Sequence, residues 1–377
     1  MKIEKFELER FQSLWENRVS FNLTESGVHP YRLKELLSEQ EIESLIDMRI
    51  GYGQTNGSIP LRETISRLYP GTGIENILVT NGSAEANFIA MWSLLEPQDE
   101  ILFMIPNYMQ IWGIIRSFGS RIKPYHLKEE LNWKPDLEEI QAQITAKTKM
   151  IIICNPNNPT GAVLSEKEMK QIITIAETNH IWIYADEVYR GAELDGNECP
   201  SFLNLVNSYD KVIVTGGLSK AYALPGLRIG WLAGPADIIE KAWSHRDYTT
   251  IAPGILSDHI AGLVLQPITR RKILQRSREL IKNNLGILIK WIEQHQGLFF
   301  LIPPKAGAMA FIRYSLNINS TQLAEKLRED KSILIIPGDF FGMDGYIRLG
   351  IGSEKEYFLS CLALIEDELN LIMKTVS

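Results

Sequence analysis

Lys220 sits in the stretch TGGLSKAYALPGLRIGW (residues 215–231), just past the apolar run KVIVT. An isolated lysine is nearly always a solvated surface charge. Here it is embedded among apolar and glycine residues at a strand end, where burial would lower its pKa and suit it to imine formation. Asp186, in DEVY after the run IWIYA, is a carboxylate at another strand end. Its charge there would keep a pyridinium nitrogen protonated and the ring electron-poor, although an aspartate after a strand is more often a helix N-cap. Gly82-Ser83-Ala84 follows Ile77-Leu78-Val79 and opens a helix. Such a turn offers free backbone N–H groups and the positive end of a helix dipole to a phosphate; alone it would pass for an ordinary turn with an N-cap serine. Residues 155–161 read NPNNPTG, directly after a buried run. Two prolines and a glycine fix an unusual backbone path at the end of a sheet where open α/β folds bind ligands.

The elements that must hold these residues are short apolar runs alternating with amphipathic stretches. ILFMI (101–105), MIIIC (150–154), IWIYA (181–185), KVIVT (211–215) and RIGWLA (228–233) read as strands. Continuous rather than alternating apolar runs point to strands covered on both faces. A helix is expected over 84–95, and another from Ser165 to Asn179, opened by a Ser165/Glu168 capping box. Strand then helix, repeated, predicts an α/β fold with a mainly parallel sheet flanked by helices. The C-terminal part differs: a long helix over 268–295, short strands near 308–314 and 346–350, and a final helix from about Glu354. These predict a smaller α+β domain. The expected division is 46–265 for the large domain, with 1–45 and 266–377 forming the small one.

The chain has 377 residues, long for a single core, and 45% of them are apolar. A net charge of −7 argues against a nucleic-acid binder, because no basic excess exists to neutralise phosphates. No apolar run approaches the ~20 residues needed to cross a bilayer, and residues 1–10 lack the apolar centre of a signal peptide. Three cysteines, Cys154, Cys199 and Cys361, lie far apart with no metal-ligand spacing. They read as structural thiols of a reduced, cytoplasmic protein, without a metal.

In order and spacing, these residues resemble the fold type I pyridoxal 5'-phosphate (PLP) enzymes of the class I/II aminotransferase family, over residues 52–348. The resemblance implies that Lys220 is the Schiff-base lysine and that Asp186 pairs with the pyridine nitrogen. It implies that Asn158 and Tyr189 bond the phenolic oxygen, while Tyr108, in IPNY, stacks on the ring. Gly82, Ser83 and Ala84 match the phosphate loop, and Arg228 its cationic partner. Arg348, in GYIRLGIG, matches the arginine that grips the substrate carboxylate bidentately. Tyr52, in GYGQTNG, matches a tyrosine given to the neighbouring subunit's phosphate, which implies a homodimer with shared active sites. One departure stands out. Where the family often has Ser or Thr three residues before the lysine, this chain has Gly217, leaving Ser219 or Thr215 as candidate replacement hydroxyls.

The core motifs serve transamination, elimination and ring closure alike. The segment Asn22-Leu23-Thr24-Glu25-Ser26-Gly27-Val28-His29-Pro30-Tyr31 could discriminate, since in this fold it crosses the active-site mouth. Ordinary aminotransferases usually carry a Gly-x-Pro type loop there. Ser-Gly-Val-His-x-Tyr instead resembles the capreomycidine-forming cyclases, which close a hydroxylated arginine into a cyclic guanidino amino acid. The expected course is Schiff-base exchange, Cα deprotonation by Lys220, loss of hydroxyl and attack by a guanidine nitrogen. Glu25 would hold the guanidinium, and Gly27 and Asn158 would line the substrate site. His29 would protonate the leaving oxygen. Each also has a plainer reading: Glu25 as a solvated loop charge, His29 as a turn residue before Pro30. An ordinary amino-acid aminotransferase is the alternative.

Overall fold

The computed structural model describes residues 2–206, 209–295 and 297–376. The chain opens with helix α1 (Glu7–Trp15) and a short strand β1 (Phe21–Asn22). The large sheet then takes β2 (Ile77–Thr80), β3 (Glu100–Ile105), β4 (Arg121–Lys128), β5 (Lys134–Pro135), β6 (Thr148–Cys154), β7 (Trp182–Asp186), β8 (Val212–Gly217) and β9 (Gly230–Ala233). Their order is β2-β9-β8-β7-β6-β3-β4-β5. Strands β8, β7, β6, β3 and β4 run parallel, while β9 runs antiparallel to both β8 and β2.

The apolar runs are continuous because both faces are covered. In β3, Leu102 and Met104 point into one core, while Ile101, Phe103 and Ile105 point into another on the opposite face. Each such side chain contributes roughly 1.5–3 kcal/mol on burial, so a polar substitution on either face is costly. Helix α2 (Ser83–Leu94) and helix α3 (Glu166–Thr178) follow β2 and β6. The Ser165 capping box forms as expected: Ser165 Oγ accepts from the Glu168 N–H at 3.3 Å, and the Ser165 N–H donates to Glu168 Oε2 at 2.8 Å. Helix α4 (Ala236–Arg246) packs against α2 and β2.

Past residue 265, helix α5 (Pro267–Gln294) leads into a four-stranded antiparallel sheet. It is built from β10 (Phe299–Leu301), β11 (Met309–Tyr314), β13 (Ile336–Pro337) and β14 (Tyr346–Gly350), with β12 (Ile333–Leu334) lying just before β13. Helix α6 (Lys355–Val376) completes this part. The N-terminal segment belongs here by contact: β1 pairs in parallel with β12, Phe21 opposite Ile333.

Helix α1 was not foreseen in the sequence, where residues 1–10 stood out only for lacking the apolar centre of a signal peptide. Leu8 and Phe11, one turn apart, are buried, and Phe11 meets Phe340 edge-on at 5.5 Å between ring centroids. Trp15 is covered by the Arg328 guanidinium at 3.8 Å. These partners lie more than 300 residues away in sequence, and they stabilise a helix too short to stand alone in water.

Candidate active site

The parallel strands end on one side of the sheet, where a cleft of about 310 Å³ opens toward the small domain. Strand β2 delivers Asn81-Gly82-Ser83, whose N–H groups crown α2. Gly82 adopts φ +83°, and a Cβ there would stand 2.3 Å from Arg228 Nη2. Glycine is therefore required both by the backbone and by the guanidinium laid across the turn. Arg228 Nη1 donates to Pro225 O at 3.1 Å and lies 3.4 Å from Ser219 Oγ. Thr215 is spoken for beneath the sheet, hydrogen-bonded to the Tyr184 hydroxyl. Of the two hydroxyls near Gly217, Ser219 is the one lining the cleft.

Asp186 ends β7, and Tyr184 on the same strand donates to Asn87 Oδ1 at 2.7 Å. Asn87 Nδ2 in turn reaches Asp186 Oδ2 at 3.4 Å, and the Val188 N–H donates to Oδ1 at 3.2 Å. Burial pushes the Asp186 carboxyl up to about 6, offset in part by those two hydrogen bonds and the Lys220 charge. A buried carboxylate without a cation in contact, facing a cleft, fits a protonated ring nitrogen.

The NPNNPTG loop is braced by its own asparagines. Asn155 Oδ1 accepts from the Leu164 N–H at 2.9 Å, and Asn157 Oδ1 accepts from Thr160 Oγ1 at 2.7 Å. Asn158 instead faces the cleft, where its Oδ1 accepts from Arg348 Nη1 at 2.9 Å. Arg348, on β14, is 1% exposed. Its Nη2 donates to Thr24 O, and its Nε has no partner. Burial lowers its pKa. A guanidinium held by a carbonyl and an amide, with no carboxylate bonded to it, is ready for an anion from the cleft. Tyr189 donates to Ser26 Oγ at 2.8 Å, and burial holds its hydroxyl protonated.

Lys220 is half-buried rather than enclosed: its side chain is 30% exposed, and its Nζ lies 3.8 Å from Glu25 Oε2. The sequence reading had relied on burial; the structure supplies a facing carboxylate instead. Gly27 packs against Lys220, a Cβ there falling 3.6 Å from Lys220 Cδ.

Three carboxylates missed or only half-seen in sequence form the cleft's rim. Glu9 and Glu16 come from α1 and its C-terminal end, and Glu25 from the segment after β1. Tyr108 donates to Glu9 Oε1 at 2.6 Å. Burial, then the Glu25 and Glu9 charges, raise the Glu16 pKa. Gln12, between them on the same face, donates to Thr24 Oγ1 at 2.8 Å. A signal for this docking was present in GIG (350–352). A Cβ on Gly350 would lie 2.2 Å from Glu25 O, so only glycine admits the N-terminal segment against β14.

The structure does not bring His29 into this cleft. It lines an adjoining cavity of about 450 Å³, with Nε2 3.5 Å from Glu354 Oε1 and its carbonyl accepting from Arg276 Nη1 at 2.9 Å. Glu25, Ser219 and Pro225 border both spaces, whereas Gly27 lines only the second. Tyr52 is also outside, on the surface and 90% exposed.

A phosphate turn, a buried aspartate and an amine at the strand ends of an α/β sheet, faced by a carboxylate-ready arginine from the small sheet, define a PLP-dependent enzyme. The chain belongs to the class I and II aminotransferases, whose family profile matches residues 25–360. Capreomycidine synthase of Streptomyces vinaceus is 28% identical over 92% of this chain and 89% of its own. Aspartate aminotransferase of Thermotoga maritima is 25% identical over 93% of this chain and 91% of its own. Among solved structures, a PLP-dependent aminotransferase from Streptococcus suis superposes with a TM-score of 0.92 at 33% identity, covering 99% of each chain. The cofactor is pyridoxal 5'-phosphate. Gly82 to Ala84 and Arg228 would hold its phosphate, and Asp186 and Lys220 would face its ring nitrogen and its aldehyde carbon. No helix among the described residues is long and apolar enough to cross a membrane.

Proposed function

We propose that the enzyme acts on a basic, arginine-type amino acid, removing water from a hydroxyarginine and closing a cyclic guanidino amino acid. The observation carrying this reading is the polarity of the cleft. A buried arginine without a carboxylate, Arg348, lies on one wall, while Glu9, Glu16 and Glu25 gather at the rim. An α-carboxylate binds the first as a bidentate pair, and a guanidinium binds the second. Bound PLP supplies the electron sink that acidifies the substrate's Cα–H. Lys220 Nζ accepts that proton, and it is the amine that can return it to a departing hydroxyl. Asp186 holds the ring nitrogen's proton, and Asn158 orients Arg348. The balance is closed: a C–O bond breaks, a C–N bond forms from the guanidine nitrogen, and water leaves without an oxidant. Similarity to capreomycidine synthase over nearly the whole chain supports this chemistry.

A homodimer is part of the proposal. Tyr52, Ile50 and Ile46 are 90%, 73% and 77% exposed in one segment, an apolar edge suited to a second copy. We place the working enzyme in the cytoplasm.

Ordinary transamination is the second reading, favoured by the aspartate aminotransferases among the relatives. The two separate by mass. The enzyme is incubated with arginine, and with arginine hydroxylated at Cβ or at Cγ, with and without a keto-acid acceptor. Loss of water without acceptor is expected; keto-acid formation that requires the acceptor would overturn cyclisation.

A further inference from the structure

Behind the phosphate turn lies a polar cluster that none of the cleft chemistry uses. Arg246, the last residue of α4, has a fully buried side chain. Its Nη1 donates to two carbonyls at once, Thr55 O and Val79 O, each at 2.5 Å. Its Nε sits 3.3 Å from Thr250 Oγ1 and 3.6 Å from Glu85 Oε2. Glu85, in the first turn of α2, is only 8% exposed at its side chain. Its Oε2 accepts from the Asn81 N–H at 2.7 Å, and its Oε1 accepts from Thr249 and Thr250 hydroxyls at 2.6 Å each.

The arrangement joins three separate segments: Thr55, residues 79–85 that lead into and close the phosphate turn, and residues 246–250 at the end of α4. The same loop contains Ile251 at φ +63°, a conformation that β-branched residues avoid and that persists only when surroundings enforce it. Its N–H is held at 3.3 Å by Arg246 O. Burying a guanidinium costs several kcal/mol unless its hydrogen bonds are specific, which argues for a positioning task at this point.

We propose that Arg246 and Glu85 are positioning residues for a phosphate monoester: they act through the backbone of residues 79–85, setting the N–H groups that receive the cofactor's phosphate. Neither side chain lines the cleft. Their contribution is therefore read in phosphate affinity rather than in contacts to the ring.

The test uses the cofactor-free protein and titrates PLP and pyridoxal in parallel, following their absorbance, with displacement by inorganic phosphate as a third measurement. In Glu85→Gln and Arg246→Lys, PLP binding weakens about tenfold, the size of one lost charge-assisted hydrogen bond, and phosphate competes less well. Pyridoxal, which lacks the phosphate, binds as in the parent protein. Thr249→Val, at the accessible side of the cluster, carries the same selectivity at about threefold and serves if Arg246→Lys does not fold. Equal weakening of PLP and pyridoxal, or no weakening of PLP, overturns the assignment.

Discussion

The cofactor cradle and the cleft's rim are built in opposite ways. The cradle is buried and held from several sides: Asp186, 7% exposed, is fixed by Asn87 of α2 and the Val188 N–H, and Asn158, 2% exposed, by Arg348. The rim is assembled from residues 9–25, docked onto residues near 340–352, and its Glu25 side chain is 57% exposed. Cradle geometry is thus set by the sheet, whereas rim geometry depends on a segment free to vary around it. A shared cofactor chemistry with divergent substrates is what such a division allows.

Four measurements break or sharpen that contrast. The largest effect is expected in the cradle: Lys220→Ala should lower turnover by about 10⁴-fold or more, and near-normal turnover in that variant would remove the central assignment. Next comes the layer beneath. Burial pushes Glu187 up to about 7, and its Oε2 has no partner. The folded state therefore binds this proton more tightly than the unfolded chain does. Its stabilisation is full below the unfolded pKa and is lost as pH rises through about 7. In denaturant titrations of the cofactor-free protein, Glu187→Gln should remove roughly 3 kcal/mol of that decline; an unchanged pH slope would show the carboxyl is not responsible. In the rim, Glu25→Gln should reduce preference for a guanidino over a neutral amino acid about tenfold in kcat/KM while leaving PLP affinity intact. Parallel losses for both substrates would assign Glu25 to Lys220 alone. The smallest change is expected at His29→Gln, under about twofold in turnover; a hundredfold loss would restore His29 as the acid.

The same division explains what could be read from sequence. Lys220, Asp186, Asn158 and the Gly82 turn announce themselves because each follows an apolar strand at a short offset, and Gly82 sits at a positive φ that few residues tolerate. The strands themselves were legible because burial on both faces leaves an uninterrupted apolar run. Glu9 and Glu16 were not, since α1 has no N-cap side chain and owes its helix to Phe340 and Arg328, distant in sequence. His29 looked catalytic because it neighbours Glu25 along the chain. It lies on the other side of the segment, toward Glu354. Lys220 was identified by its neighbours in sequence, but its carboxylate partner came from the far end of the chain.

The parallel pairing of Phe21 with Ile333 also has a consequence for synthesis. At ~5–20 residues per second, the ribosome needs roughly 15–60 s to deliver that partner strand after the N-terminal segment has emerged. Meanwhile the cofactor-binding sheet, complete by Ala233, can already fold. The nascent chain thus acquires its phosphate turn and Lys220 well before Leu8, Phe11 and the rim glutamates find cover. During that interval these apolar side chains are open to chaperones and to other nascent chains.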